Sequence, residues 1–564
     1  MSIYESNGFA ILYASIPPCL LALVLQLVDF TALSHRVQAV ILVPTLLYLY
    51  AAYKIGSQIL ENLNNPLRYL PASPDESFLF GHARATWEEP KGSAFLKWMD
   101  TIPNEGLIYY AGFFRSKPHV FAASPEAMRE VLITHAYDYK KPELGRKFLE
   151  QTAGRGLLVV EGNEHKIQRK SVAPAFSGRH VRDLVPIFWN KARELTDVLA
   201  DQLERVGKEQ ARTGVIELNG WASRATIDII CAASLGRDFN SLRNPDDELA
   251  LQYKRVFGDN AGSQIWILFD LLGTPPPIQL ARWTPYFTKF REAAEGRYQL
   301  HPLCRGFVGL KRKEMESGLA AANDILSVLI RSGEFTDDGL VDQLLTYLAA
   351  GHETTSSALA FTCWILANND EVQKRLRNEL KARFPRQLDE EVTASDLDAL
   401  PYLDAVISEQ LRLYPSAPIL PREAVRDTTI LGHRIPKDQF VLMCPWAVNR
   451  SKKLWGNDAQ DFKPERWLTK LTPSVDLGEK YDNSRSASTK EADPMRFLTF
   501  LHGPRSCIGQ TFSRAEQKCL VAAMVMRFEI RMADPNENIM PAGFITIKPM
   551  GKDGLRLMLR ELQP

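Results

Sequence analysis

Apolar positions follow three regimes along the chain. Phe9 to Val28 (FAILYASIPPCLLALVLQLV) carries no charge, and a second apolar run from Val37 to Tyr53 comes after Asp29 and the pair His35-Arg36. A spanning helix needs about 20 apolar residues. The first run meets that length but holds Pro17-Pro18 in its middle, and the second is shorter and holds Pro44; prolines at such positions kink a helix. No basic segment precedes the first run, which argues against a cleaved signal peptide. The expectation is one or two retained transmembrane helices in an N-terminal membrane anchor over 1–60 (apolar runs 9–28 and 37–53). The next cations are Lys54 and Arg68, so the positive-inside rule puts the remainder of the chain on the cytosolic side. A two-span hairpin would leave Arg36 on the far side, which the same rule disfavours. Residues 61–82 break the hydrophobicity with prolines and polar residues and predict a Pro-rich linker.

Beyond about residue 160 the pattern is helical. Apolar residues recur at helical spacing over Arg182–Val206, Leu340–Ala367, Ala405–Leu413 and Gly509–Phe528. Short β-like runs lie near 106–122, 425–443 and 528–562. The predicted fold class is mainly α with small β-sheets, without an alternating βαβ pattern. No repeat and no composition shift divides 83–564, which is expected to be a single domain. Residues 469–495 are polar, Ser-rich and aperiodic, and predict a surface loop.

Composition narrows the chemistry. With 564 residues, 45% hydrophobic and 24% charged, the chain can bury a large core. A net charge of +1 gives no electrostatic signature for nucleic acid. Seven scattered cysteines, an odd number with no C-x-x-C pair, argue against a disulfide framework or a structural zinc site and favour a reducing compartment. The histidines show neither H-E-x-x-H nor H-x-H spacing.

One cysteine stands apart by context, in Phe500-Leu-His-Gly503-Pro-Arg505-Ser-Cys507-Ile-Gly509. A lone cysteine is ordinarily a small buried hydrophobe. Here Gly503 and Gly509 permit unusual torsions and close approach to a flat ligand. Cys507 sits at a helix start, where backbone N–H groups and the dipole stabilise a thiolate. Arg505 offers a cation to an acidic cofactor edge, and Phe500 can pack on the sulfur side. The stretch resembles the F-x-x-G-x-R-x-C-x-G loop of the cytochrome P-450 superfamily at every fixed position. The resemblance implies the cytochrome P-450 fold, Cys507 as axial ligand to the iron of a haem, and Arg505 on a haem propionate, with Phe500 and Gly509 in the cofactor-binding loop.

Companion motifs occur in family order. Ala350-Gly351-His352-Glu353-Thr354-Thr355 lies in a helix with a candidate cap at Thr336-Asp337-Asp338. Gly351 inside a helix costs about 1 kcal/mol against alanine, a cost that a ligand lying against the backbone would explain. The Thr354 hydroxyl can bond back to the Ala350 carbonyl, and an acid beside an alcohol suits a proton relay. The stretch resembles the family's oxygen-activation motif, which implies that Thr354 joins the oxygen-side hydrogen-bond network and Glu353 helps deliver protons. Glu409-Gln-Leu-Arg412 is by itself an ordinary i,i+3 helix pair. It resembles the family's E-x-x-R motif, which pairs with a later arginine, here Arg466, as a structural clamp; Trp467 stands where the family often has Phe. The resemblance implies two further propionate partners, Arg422 after Pro415 and Arg169 in a stretch similar to the family's W-x-x-x-R helix. His165 stands where tryptophan is usual, and is either a propionate hydrogen-bond donor or an ordinary surface histidine. Lys166, Arg169, Lys170, Arg179 and Arg182 form either a solvated helix face or, by resemblance, the docking surface of an acidic flavoprotein reductase.

The resemblance covers residues 66 to 560 and, with the anchor, points to the microsomal branch, in particular filamentous-fungal members of secondary metabolism. It implies a monooxygenase that inserts one oxygen atom from O2 into a lipophilic small molecule. NADPH electrons would arrive indirectly, through a reductase or a cytochrome b-type donor, at a cytosolic domain on the endoplasmic reticulum membrane. Asn260–Phe287 is expected over the substrate channel. The alternatives are an isomerase or dehydratase of the same fold that needs no external electrons, and a non-catalytic haem sensor.

Overall fold

The long helical pattern around residue 350 becomes the central rod of the molecule. The structure is a computed structural model that describes residues 45–563 apart from 47, 51, 55, 58, 61, 78–79, 113–117, 207–211, 245–287, 319–322, 387–390, 469–492 and 544. The first predicted span, most of the second, the 260–287 region and nearly all of the 469–495 loop therefore lie outside the described residues. Among those described, no helix is long and apolar enough to cross a membrane.

The sheet strands are β1 (Leu107–Ala111), β2 (Pro118–Ala122), β3 (Tyr139–Lys140), β4 (Thr213–Glu217), β5 (Leu420–Ala424), β6 (Thr428–Ile430), β7 (His433–Ile435), β8 (Phe440–Met443), β9 (Phe528–Met532), β10 (Met540–Gly543), β11 (Ile547–Met550) and β12 (Arg556–Glu561). The helices that position the site are α1 (Gly162–Val172), α2 (Gly178–Val206), α3 (Leu218–Leu235), α4 (Asp337–Ala367), α5 (Pro401–Leu413) and α6 (Gln510–Arg527). The predicted helices are all present, with boundaries moved by a few residues. α4 starts where Thr336 accepts the Gly339 N–H at 3.1 Å, and Asp337 and Asp338 sit in its first turn. Its 31 residues span about 46 Å. It is apolar on nearly every face because it is packed on all sides, against α3, α6, β9 and β11 among others.

Two apolar clusters make the core. The larger is helical and gathers α2, α3, α4, α5 and α6; the smaller backs the five-stranded sheet. That sheet has the order β1-β2-β8-β5-β3 and is antiparallel except where β2 runs parallel to β8. Its order matters for function: β3 pairs with β5, with Lys140 opposite Glu423, which brings Lys141, just past β3, near Arg422 of β5. A β4-β12-β9 sheet and the β6-β7 and β10-β11 pairs complete the small β content.

The segment expected as a linker lies on the sheet. Leu67 and Leu70 are buried, Asn62 accepts from the Tyr109 hydroxyl, and the Tyr109 N–H donates to the Pro71 carbonyl at 2.8 Å.

A polar clamp sits inside the core. Glu409 and Arg412 are fully buried and paired at 2.7 Å, and Arg466 reaches the same carboxylate at 3.0 Å. The remaining Arg412 N–H groups donate to the carbonyls of Asn449, Ala459 and Asp461. A buried charge is tolerable only with such complete satisfaction. The triad joins α5 to the 449–467 segment, as a structural role requires.

Candidate functional site

The cysteine loop is held by its backbone. The Cys507 N–H donates to the Phe500 carbonyl at 2.8 Å, closing the loop before α6 begins at Gln510. Gly503 adopts φ +76°, and a Cβ there would run into the Leu132 carbonyl, so only glycine fits. The neighbouring backbone, approaching on the Cβ side, is thus enough to require glycine at 503. Gly509 has an ordinary φ of −84°, and no atom lies within 4 Å of where its Cβ would stand. Phe500 is half-buried and packs on the helical core.

Cys507 differs from the other described cysteines. Those five are buried, whereas the Cys507 side chain is exposed. Surrounding protein nevertheless pushes its thiol pKa up by burial, against the opposing pull of the Gly509 N–H and the Arg169 guanidinium.

Basic side chains converge beside it. Arg169 of α1 donates to the Ser506 carbonyl at 2.6 Å, next to the cysteine. Arg505 is buried, pairs with Glu161, and keeps a buried Nε without a hydrogen-bond partner. Arg422 is buried, with a 3.0 Å bond to the Pro421 carbonyl. Lys141 reaches Glu161 at 3.3 Å. His165 is buried rather than on the surface, with Nδ1 3.3 Å from the Tyr137 hydroxyl. Burial, with Arg422 and Arg505 adding to it, lowers Lys141 to about 7 despite Glu161. Burial, then Arg505, Lys141 and Arg169, lowers His165 to about 4, so its imidazole is neutral near pH 7. Burial and then Arg505 lower Arg422 to about 10. Burial pushes Glu161 up, but Lys141, Arg505 and Arg422 outweigh it and hold the carboxyl below its usual range. One carboxylate thus faces Lys141, Arg422 and Arg505, with Arg169 and His165 alongside. Such a cluster is short of negative charge.

On α4, Thr354 donates to the Ala350 carbonyl at 2.7 Å, as the i−4 spacing predicts. Glu353 and Thr354 are both half-buried. The adjacent Thr355 meets Ser513 of α6 at 3.1 Å, which ties the motif to the helix that begins just past Cys507. Gly351 corrects the expectation placed on it. A Cβ there would stand 3.0 Å from Ile230 Cδ1, so close packing of α3 accounts for this glycine without calling on a ligand. Of the basic helix residues, Lys166, Lys170 and Arg179 are exposed, Arg169 turns inward to Ser506, and Arg182 is paired with Asp398 at 2.8 Å.

Sequence reasoning missed Glu161, Lys141 and His352. Glu161 had a local signal, an acid directly before a helix N-terminus. Lys141 had none. His352 was visible only as the variable position of a motif.

The cytochrome P450 family model matches residues 106–552. The cytochrome P450 monooxygenase sphH of Aspergillus fumigatus is 38% identical over 87% of this chain and 87% of its own length. The monooxygenase ptmK of Penicillium ochrochloron is 36% identical over 88% of this chain and 94% of its own. FUM15 of Gibberella moniliformis, also a cytochrome P450 monooxygenase, is 34% identical over 90% of this chain and 87% of its own.

The chain belongs to the cytochrome P450 family. It has the P450 fold, mostly helical with small sheets, and it is an oxidoreductase of the monooxygenase class. Membership implies a haem iron, and a P450 haem asks two things of a site. Its iron takes a thiolate, and its two propionates need cations or hydrogen-bond donors. The donor set fits both: an accessible thiol flanked by Arg169, and basic groups in excess of carboxylate with an unpartnered Arg505 Nε.

Proposed function

We propose that this P450 inserts one atom of O2 into a C–H bond of a lipophilic small molecule, as a biosynthetic step in secondary metabolism. The second oxygen atom leaves as water, taking two protons and two electrons that start on NADPH and arrive through a reductase or a cytochrome b-type donor. The observation that carries this reading is the accessible thiol beside a buried basic cluster. When bound, the haem supplies O–O cleavage, which a thiolate ligand favours by donating electron density.

The chain's own residues do the rest. Cys507 would hold the iron as a thiolate, with the Gly509 N–H and the Arg169 charge partly offsetting the burial that raises its thiol pKa. Arg505, Arg422, Arg169 and the neutral His165 hold the propionates, while Phe500 and Gly509 shape the cysteine side. Thr354, oriented by its bond to Ala350, holds a proton on the oxygen side, and Glu353 passes it inward. The exposed Lys166, Lys170 and Arg179 steer an acidic reductase. Residues 1–60 anchor the chain, 61–82 lead off from the anchor, and 83–564 form the haem-binding catalytic domain on the cytosolic face of the endoplasmic reticulum. The relatives' names support monooxygenase chemistry over the isomerase and sensor alternatives.

Product analysis after expression with a reductase and a panel of lipophilic substrates tests the reading. Product should require NADPH; product formed without reductant would overturn it. Thr354→Ala should lower product per NADPH consumed while the protein still binds haem. Cys507→His should lose the thiolate-type spectrum of the reduced carbon monoxide complex, and retention would exclude Cys507 as ligand.

A further inference from the structure

Residue 352 is gripped from a second helix at both side chain and main chain. His352 is buried, and its Nε2 lies 2.6 Å from the Ser223 hydroxyl of α3. One turn along α3, the fully buried Thr226 hydroxyl shares its one proton among three carbonyls, Ala222 at 3.0 Å and Ser223 and His352 each at 3.2 Å. Directly before it, Gly351 brings α4 against Ile230. α3 and α4 therefore touch at the motif itself, where hydroxyl-bearing residues line the seam.

Hydroxyls crowd the carbonyls of this turn of α4. Ala350 accepts from Thr354, Glu353 from Ser356 at 3.0 Å and Thr354 from Ser416 at 2.9 Å, while the Thr226 hydroxyl lies within reach of the His352 carbonyl. Hydroxyls that bond to helical carbonyls compete with the backbone ladder and bend or loosen a helix. The helix is nevertheless continuous from Asp337 to Ala367, so these extra bonds act on the direction of the turn's side chains. Residues two apart on a helix point to nearly opposite sides. A hold on His352 from α3 therefore sets the direction of Thr354, on the other side of the rod. On the Thr354 side, Ser416 links to the β10-β11 pair, since its carbonyl accepts from the Ile547 N–H at 2.9 Å and Ser357 donates to the Ile547 carbonyl. The charged group on that pair that bears on His352 is Lys548.

We propose that His352 is a positioning residue for the oxygen-side pair: through its contacts with Ser223 and Thr226 of α3 it fixes the rotation of this α4 turn, and so the aim of Glu353 and Thr354, without touching substrate or cofactor. This rests on the proton-handling roles proposed for Glu353 and Thr354. Burial, with Lys548 adding to it, keeps the imidazole neutral near pH 7, which suits a hydrogen-bonding strut better than a titrating group.

The test uses the full-length holoenzyme and the variants Ser223→Ala, His352→Phe and the pair combined, with Thr354→Ala as reference. Two readouts are taken: product formed per NADPH consumed, and amide hydrogen exchange of the peptide covering 350–358. Ser223→Ala should speed that exchange about three- to tenfold, the factor for one lost neutral hydrogen bond, with the melting temperature nearly unchanged. It should lower coupling in parallel, and Ser223→Thr should restore both. His352→Phe should do at least as much as Ser223→Ala, and the double variant no more than His352→Phe, because one contact is broken in each. If His352→Phe fails to fold, Ser223→Ala carries the test alone. Unchanged exchange and coupling in Ser223→Ala, with Thr354→Ala uncoupled, would overturn this proposal. Full coupling in Thr354→Ala would instead overturn the roles assigned to the pair.

Discussion

Trp467→Phe puts a number on the buried clamp. Glu409 has no exposed surface, and its carboxylate receives five donors. Oε1 accepts from Arg412 Nη2 at 2.7 Å, the Lys463 N–H at 3.0 Å and Arg466 Nε at 3.0 Å. Oε2 accepts from Arg412 Nε at 2.8 Å and Trp467 Nε1 at 2.9 Å. The indole N–H is therefore one of two donors on Oε2, and phenylalanine removes it while keeping an aromatic ring between Trp455 and Phe497. A hydrogen bond to a charged group contributes about 1.5–3 kcal/mol. The smaller ring adds a modest packing loss, so the total is about 2–3 kcal/mol. At about 2.1 cal/mol/K per residue over a domain of this size, unfolding entropy is about 1 kcal/mol/K, and the melting temperature should fall by about 2–3 °C. Melts of the holoenzyme at one fixed scan rate measure this, since large proteins often unfold irreversibly. The control is Glu465→Ala, which breaks an ion pair to Arg375 that is half exposed on both sides and should move the midpoint far less. A Trp467→Phe shift no larger than the control's would refute the reasoning, because it would mean that the other four donors already satisfy Glu409.

Gly503→Ala should destabilise by about 1–3 kcal/mol, from strain at φ +76° and collision with the Leu132 carbonyl; haem content after purification should fall, and a variant with full haem content and an unchanged midpoint would contradict the backbone account. His352 gives a pH dependence with a definite sign. Its folded pKa of about 3 lies below the ordinary 6.5. Between these values the unfolded chain binds a proton that the folded chain does not, so stability falls as pH drops through this window. His352→Gln should flatten that acid limb by up to about 1.4 kcal/mol per pH unit, read from urea titrations across pH 7 to about 5; parallel slopes in both proteins would count against it.

Short-range patterns carried the fold class and the motif positions. Helical spacing, the Thr336 cap and the Thr354-to-Ala350 bond all act within four residues, so one stretch of chain suffices to reveal them. The cysteine loop is likewise contiguous from Phe500 to Gly509. The partners of these residues were another matter. Glu161 meets Arg505 across 344 positions, and Ser223 meets His352 across 129. Gly351 and Gly503 looked like clearance for a ligand, and each proved to be clearance for neighbouring protein, Ile230 in one case and Leu132 in the other. His165 could be surface or interior until α1 was seen to pack it beside Arg505. The order of amino acids alone therefore reveals which residues are chemically equipped, because periodicity, caps and loop torsions are local. Which of them are buried, and what they face, emerges only in the folded chain, because strand order in the β3-β5-β8 sheet and the close approach of α3 to α4 are set by packing over the whole core.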